Sequence, residues 1–461
     1  MARTNGHEVI PSAKRLIRSL RDMGYDFSTA VADLVDNSIE AGSTQVFIDV
    51  EFYGDNSWVR IADNGIGMGV EQLQEAMRYG SEREYDNEKD LGKFGLGLKT
   101  ASMSQCQRLI VASRCDPNQK EIHAYCWDMD HVDMTNKWEI IQVSKKELKF
   151  ILNHYLDTTT GTVVFWQRLD RILGYKHPYG DFAKKRLLNM CRDLEEHLAM
   201  VFHRFLAGEV PGKKLKIILN GNNVEPWDPY ARQELKTQVL GPIPIHLEHE
   251  GKTGIVTLEP YVLPHQDDFS SRDSFNRASG PKKWNRQQGF YIYRANRLIQ
   301  SGGWCGLKTI DEHLKLARIA ISFSPHLDEA FKINVSKMNV QLPVQIKDQI
   351  DNATKPVAKL AQETYRKSAQ KPSDTTPSYY DIPLNNSRLD HHSIAQPKPE
   401  ILQQTTVSPI SIPNTPTIRY WTLDEIQTRL ENLAEQEEKS VLIKVFNRLR
   451  NNLNSQEELS Q

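Results

Sequence analysis

The sequence predicts an α+β fold: strands and helices intermixed in the N-terminal third, a second strand-rich domain, and a helical tail. Three observations lead there. Period-two apolar runs such as Val46, Ile48, Val50 and Phe52 adjoin helical runs such as residues 28–41. A second block of strand-like segments follows a long amphipathic stretch at 181–206. After residue 369 the composition turns abruptly to Pro, Ser, Thr, Asn and Gln.

In chain order, STAVADLVDNSIEA (28–41) has a helical period. Val31, Leu34, Val35 and Ile39 fall on one side, and Asp33, Asp36, Asn37 and Glu40 on the other. Asp26 or Ser28 suits the N-cap and Gly42 the C-terminal stop. The run Val46 to Phe52 alternates as a strand with one buried face. Gly54-Asp55-Asn56 makes a tight turn, and SWVRIA forms a strand ending at Asp63. Helical spacing returns at 70–77, and RLIVASR, HAYCWDM and GTVVFWQ read as further strands. These segments predict a first domain over 1–175.

The helix at 181–206 leads into a second region over 176–345, which KLKIILNG opens and to which GFYIYRANRLIQ and ARIAISF contribute strands. A helix over 346–369 follows, starting near Val344, then a flexible linker at 370–418. The tail, 419–461, restarts with a capping box from Thr422 to Glu425. Leu423, Ile426, Leu430 and Leu433 then recur at helical spacing.

With 39% hydrophobic and 25% charged residues, most of the chain is expected to be globular, and a net charge of -1 gives no global attraction to nucleic acid or membrane. Cys106, Cys115, Cys126, Cys191 and Cys305 are scattered without C-x-x-C pairs, as expected of reduced thiols. No apolar run approaches membrane-spanning length, and the opening MARTNGHEVIPSAK has no signal-peptide core. The expectation is a soluble cytoplasmic protein without a membrane partner.

Phosphate chemistry is signalled by LGKFGLGLKTAS (91–102). A P-loop requires Lys directly after its last glycine, but Leu98 separates Gly97 from Lys99; a dinucleotide fingerprint requires a third glycine where Thr100 stands. Three other segments supply a different context. These are DLVDNSIEAG with Asn37, IADNGIGM with Asp63, Gly65, Gly67 and Met68, and TGTVVFW with Thr162.

Taken in order, the four segments resemble the GHKL ATPase superfamily of gyrase, Hsp90, histidine kinases and MutL. ADLVDNS and LGKFGLGLKTASMS are most similar to MORC ATPases and their prokaryotic relatives. The resemblance implies a Bergerat-type two-layer α/β sandwich, helices on one face of a mixed sheet, followed by a ribosomal-protein-S5-like transducer domain and the helical tail. It implies ATP and Mg²⁺ as ligands. Asn37 would ligate the metal, Asp63 would accept from the adenine amino group, and Gly65 and Gly67, followed by Met68, would leave room for the base. Gly92, Lys93, Phe94, Gly95, Leu96, Gly97 and Lys99 would form the phosphate-covering lid, and Thr162 would support the water network around Asp63. YRANRLI, LARIAISF and FKINVSKMNVQLP resemble the transducer, whose γ-phosphate lysine matches Lys337.

One position departs from the family pattern. The general base of these ATPases is a Glu one helical turn before the asparagine, and here that position is Asp33. The shorter carboxylate implies slow hydrolysis, with binding without turnover as the alternative. Family behaviour further implies an ATP-dependent homodimer gating DNA or a DNA-processing partner, in a repair, chromatin-like or defence role. The rival readings are a nucleotide-dependent scaffold and an Hsp90-like chaperone. Lys213, Lys214 and Lys216, and Lys282, Lys283 and Arg286 around Trp284, are the basic groups available to a phosphate backbone.

Overall fold

The computed structural model describes residues 9–22, 24–80, 97–118, 121–174, 177–333, 340–366 and 446. The linker and almost all of the tail, the lid residues 92–96 and Lys337 lie outside the described residues.

The helices are α1 (Ala13–Arg21), α2 (Phe27–Glu40), α3 (Val70–Met77), α4 (Gly97–Met103), α5 (Met129–Thr135), α6 (Lys145–Leu152), α7 (Asp181–Val201), α8 (His203–Leu206), α9 (Arg272–Ala278), α10 (Lys283–Gln287) and α11 (Val344–Arg366). The first-sheet strands are β1 (Gln45–Glu51), β2 (Trp58–Asp63), β3 (Arg108–Arg114), β4 (His123–Asp128), β5 (Ile141–Gln142), β6 (Gly161–Gln167), β7 (Lys216–Leu219) and β8 (Asn222–Asn223). They form one sheet in the order β5-β4-β3-β6-β2-β1-β7-β8. Every described neighbouring pair is antiparallel except β1 with β7, so the sheet is mixed.

Strand alternation decides which side chains meet the helices. Val46 and Ile48 of β1, Val59 and Ile61 of β2, Leu109 and Val111 of β3, and Val164 and Trp166 of β6 share one face. They form a core with Val31, Leu34 and Val35 of α2 and Leu187, Leu194 and Leu198 of α7. On the opposite face Trp58, Ile110 and Phe165 pack with Ile151 and Leu152 of α6, which covers part of that side.

The expected end of the first domain at residue 175 requires correction. KLKIILNG does not open the second region: β7 pairs in parallel with β1, Gln45 opposite Lys216 through Ile48 opposite Leu219. Both α7 and this strand complete the first unit, because the apolar stripe of α7 is buried on the first sheet and Ile217 and Leu219 extend the same core.

The second sheet contains β9 (Gln238–Val239), β10 (Ile243–His249), β11 (Lys252–Val262), β12 (Gly289–Arg294), β13 (Arg297–Ser301) and β14 (Ala317–Phe323). Its order is β10-β11-β14-β12-β13, with β9 paired to β11. Ile346, Ile350, Val357 and Ala361 of α11 close one face over Val256, Leu258, Ile319 and Ile321. The other face is tyrosine-rich, with Tyr230, Tyr261, Tyr291 and Tyr293 packed beside Met200 of α7. This second core therefore lies against the C-terminal end of α7.

Gly161 marks a tight crossing at the start of β6. It has φ +146°, and a Cβ there would lie 1.9 Å from the Asp63 carbonyl oxygen. Gly161→Ala should lower stability by about 2–4 kcal/mol through backbone strain and overpacking. Chemical denaturation measures it, and a midpoint equal to wild type would contradict the crossing.

Candidate functional site

The site grows from one row of residues across three strands. Antiparallel register sets Asp63 at the end of β2 opposite Thr162 of β6, and Thr162 opposite Ser113 of β3. Residues directly opposite in such pairs project to the same face, here the helix-covered one. Ser113 Oγ lies 2.9 Å from Thr162 Oγ1 and 2.9 Å from the Gly161 carbonyl, and it accepts from the Met68 amide at 2.8 Å. A serine at the end of an otherwise apolar strand thus ties the IADNGIGM turn to β6.

Asp63 is partly buried. Its Oδ1 accepts from the Gly65 amide at 2.9 Å, and its Oδ2 lies 3.1 Å from Ser38 Oγ on α2. Burial raises its pKa, against the hydrogen bonds from Gly65, Ser38 and Thr162. A carboxylate held this way is a fixed acceptor in a low-dielectric setting.

The two glycines of the turn have different reasons. Gly67 has φ +66°, and a Cβ there would fall 2.0 Å from the Arg114 carbonyl oxygen. Gly65 has no positive φ, but a Cβ would lie 2.7 Å from the Ala41 Cβ. Both are demanded by close approach of the protein's own chain. Thr160 Oγ1 donates to the Gly65 carbonyl at 2.7 Å and completes the turn.

Helix α2 lies above this row. Asp26 caps it, accepting from the Thr29 amide at 2.8 Å. Asn37 is partly buried, and its side-chain amide has no hydrogen-bond partner among the described residues. Asp33 is buried: Oδ2 accepts from the Tyr25 hydroxyl at 2.9 Å, and Oδ1 lies 3.7 Å from the Arg297 guanidinium. Burial and the Asp33 charge push the Tyr25 phenol well up, so it stays protonated and donates. The site also approaches α4: a Cβ on Gly97 would stand 3.8 Å from Asp33 Oδ2.

With this geometry in view, the comparisons are specific. Residues 25–162 match the family described as histidine kinase-, DNA gyrase B-, and HSP90-like ATPase. This stretch of the first domain is thus similar to the GHKL ATPases. The matched span begins at Tyr25 and ends at Thr162, two residues of the site just described. The chain is 38% identical over 93 residues to the DNA mismatch repair protein MutL of Pasteurella multocida, covering 19% of this chain and 15% of that protein. It is 33% identical over 114 residues to MutL of Enterobacter sp., covering 24% and 18%. It is 34% identical over 91 residues to Protein MICRORCHIDIA 7 of Arabidopsis thaliana, covering 19% and 13%. The chain thus spans less than a fifth of the length of these relatives.

The structure sets Asp63, Gly65, Gly67, Met68 and Thr162 around the ends of β2 and β6, Asp33 and Asn37 one turn apart on α2, and Gly97 beside Asp33. Lys99 is aimed elsewhere. It is 2% exposed, and its ammonium donates to the Ala76 carbonyl in the last turn of α3 at 3.0 Å. Helical geometry explains this, since Lys99 is on the α4 face that meets α3. Tyr25, Ser38, Ser113 and Arg297 were missed from sequence; only Ser38, inside the ADLVDNS phrase, carried a local signal. An apolar groove of about 790 Å³ lined by Leu16, Leu20, Met77, Tyr79, Trp127 and Trp138 shares none of the site residues.

Lys99 yields a pH test. Burial lowers its pKa from 10.5 to about 8. Between those values the unfolded chain holds the extra proton, so this group makes stability rise with pH across the window. Relative to Lys99→Met, wild type should gain roughly 2 kcal/mol from pH 8 to 10.5. Urea midpoints of both proteins measure the difference, and a flat difference would contradict the burial.

Proposed function

We propose that the chain binds Mg-ATP in the pocket between α2 and the Asp63 row, hydrolyses it slowly, and uses it to gate a homodimer on DNA or a DNA-associated complex. The observation that carries the reading is that α2 carries Asp33 and Asn37 one turn apart and is tied by Ser38 to the carboxylate at the end of β2. The residues fit the ligands. Asn37 offers a neutral amide oxygen without a protein partner among the described residues, which suits Mg²⁺, an ion that takes few protein ligands and fills the rest from phosphates and water. Asp63 offers a fixed acceptor suited to the adenine amino group, and a site built on that acceptor disfavours guanine.

In this mechanism Asp63 orients the base and Asn37 holds the metal. The magnesium ion, when bound, neutralises charge on the phosphate oxygens. Asp33, oriented by the Tyr25 hydroxyl, takes a proton from the attacking water. Gly97 at the start of α4 supplies backbone close to Asp33. The lid residues Gly92, Lys93, Phe94, Gly95 and Leu96, together with Lys337, are assigned to the phosphates on the sequence pattern. The second sheet takes the transducer's place.

The DNA assignment draws support from the MutL relatives, whose name denotes DNA mismatch repair. Lys213, Lys214 and Lys216 are exposed and available to phosphates. Trp284 is not an open stacking surface: it is stacked on Phe275 at 4.6 Å and edge-on to Phe269. Among the described residues, no helix is long and apolar enough to cross a membrane.

A second reading, a nucleotide-dependent scaffold with little turnover, is favoured by the engagement of Asp33 with Tyr25 and Arg297. Equilibrium binding and steady-state turnover of ATP separate the two. Asn37→Ala should lose nucleotide binding. Asp33→Ala should keep binding and lose turnover by about 10²-fold or more. Equal behaviour of both variants and wild type would overturn the site. Sedimentation with a non-hydrolysable analogue should shift the chain toward dimer, and salt-sensitive retention on duplex DNA should distinguish the clamp from a chaperone.

A further inference from the structure

Arg297 stands on β13 of the second sheet, yet its guanidinium is inserted against α2 of the first domain. Its Nε lies 2.9 and 2.7 Å from the two carboxylate oxygens of Asp36, and Nη2 is 3.7 Å from Asp33 Oδ1. Nη1 is 3.4 Å from the Leu298 carbonyl, and the Phe202 ring lies 5.9 Å away. All three charged side chains expose 3% or less of their surface. The contact joins positions 261 residues apart, across the two sheets.

Two acids one turn apart inside a protein repel and desolvate each other, so the fold must supply a cation to both. A planar guanidinium can anchor one carboxylate while its other nitrogens reach the second; an ammonium is a single point charge and cannot hold that geometry. Here the anchor is Asp36 and the reach is toward Asp33. Tyr25 fixes the other oxygen of Asp33. The orientation of Asp33 is thus set from two sides, one of them belonging to the second sheet.

We propose that Arg297 is a positioning residue for the hydrolytic step: by anchoring Asp36 it holds Asp33 in place, so the seating of the second sheet on α2 determines whether the base is set. This rests on the nucleotide reading above. It adds that information passes between the ATP pocket and the second domain through a buried ion cluster within the described residues, independently of Lys337. Coupling between sites requires an element that both sites bias, and withdrawal of Arg297 from Asp36 would supply its second arrangement.

The test uses the full chain as wild type, Arg297→Gln and Arg297→Lys. Affinity for a non-hydrolysable ATP analogue with Mg²⁺, the single-turnover rate with ATP, and thermal melting are measured in parallel. Arg297→Gln should keep its affinity within about 3-fold while turnover falls at least about 10-fold, the signature of a misplaced base. Arg297→Lys should recover part of that loss, because it restores charge without the fork. If Arg297→Gln does not fold, Arg297→Lys alone should still lose turnover by about 3-fold or more at unchanged affinity. Wild-type turnover in Arg297→Lys together with wild-type turnover or misfolding in Arg297→Gln overturns the proposal, as does a parallel fall of affinity and turnover. A wild type that binds ATP but never hydrolyses it overturns the proposal and leaves nucleotide binding standing. A wild type that binds no adenine nucleotide overturns the pocket itself.

Discussion

Helix α2 is buried on nearly every side, with 11 of its 14 residues inside the protein, Asp33, Asp36 and Ser38 among them. An amphipathic helix of a two-layer domain ordinarily keeps its charged side in water. This one is covered by the sheet below, α4 and α7 alongside, and β13 of the second sheet at Asp36. Each buried polar group must then find a partner or cost several kcal/mol. The partners found are Arg297 for Asp36, Tyr25 for Asp33 and Ser38 for Asp63. Breaking the Arg297 pair from one side would leave a buried charge and cost about 3–5 kcal/mol.

The same constraint shapes the chemistry. Asp63 is held by register, since Asp63, Thr162 and Ser113 are side by side on three hydrogen-bonded strands and have no freedom to drift apart. Asn37 and Asp33 are held by being on one helix that cannot rotate without exposing its core. The proposed contacts to base and metal therefore fall on strand register and on a single helix, both fixed by packing. The Arg297 contact joins this frame to β13 of the second sheet.

Much of this was legible locally. The period-two run of β1, the short apolar runs of β2, β3 and β6 and the helical period of α2 mark those elements to within a residue or two, because these patterns are properties of the sequence itself. Asn37 and Asp63 stand out as candidates because their residue types sit in fixed order with the glycine turn. Long-range pairing was not readable. KLKIILNG reads as an ordinary strand, and nothing nearby says it joins β1 in parallel rather than opening the second sheet. Asp36 reads as a solvated acid on a polar face until the fold brings Arg297 from 261 residues away. Lys99 reads as a phosphate cation because it follows three glycines, whereas the helix that begins at Gly97 turns it toward Ala76. In each case the missing information is tertiary, carried by which faces meet.

The most direct measurement is a crystal structure of the full chain with Mg²⁺ and a non-hydrolysable ATP analogue. The account predicts the adenine amino group within hydrogen-bonding distance of the Asp63 carboxylate, and the Asn37 side-chain oxygen about 2.0–2.1 Å from the metal, the distance octahedral Mg²⁺ demands. Nucleotide seated elsewhere on the protein, with Asp63 and Asn37 both untouched, would contradict it.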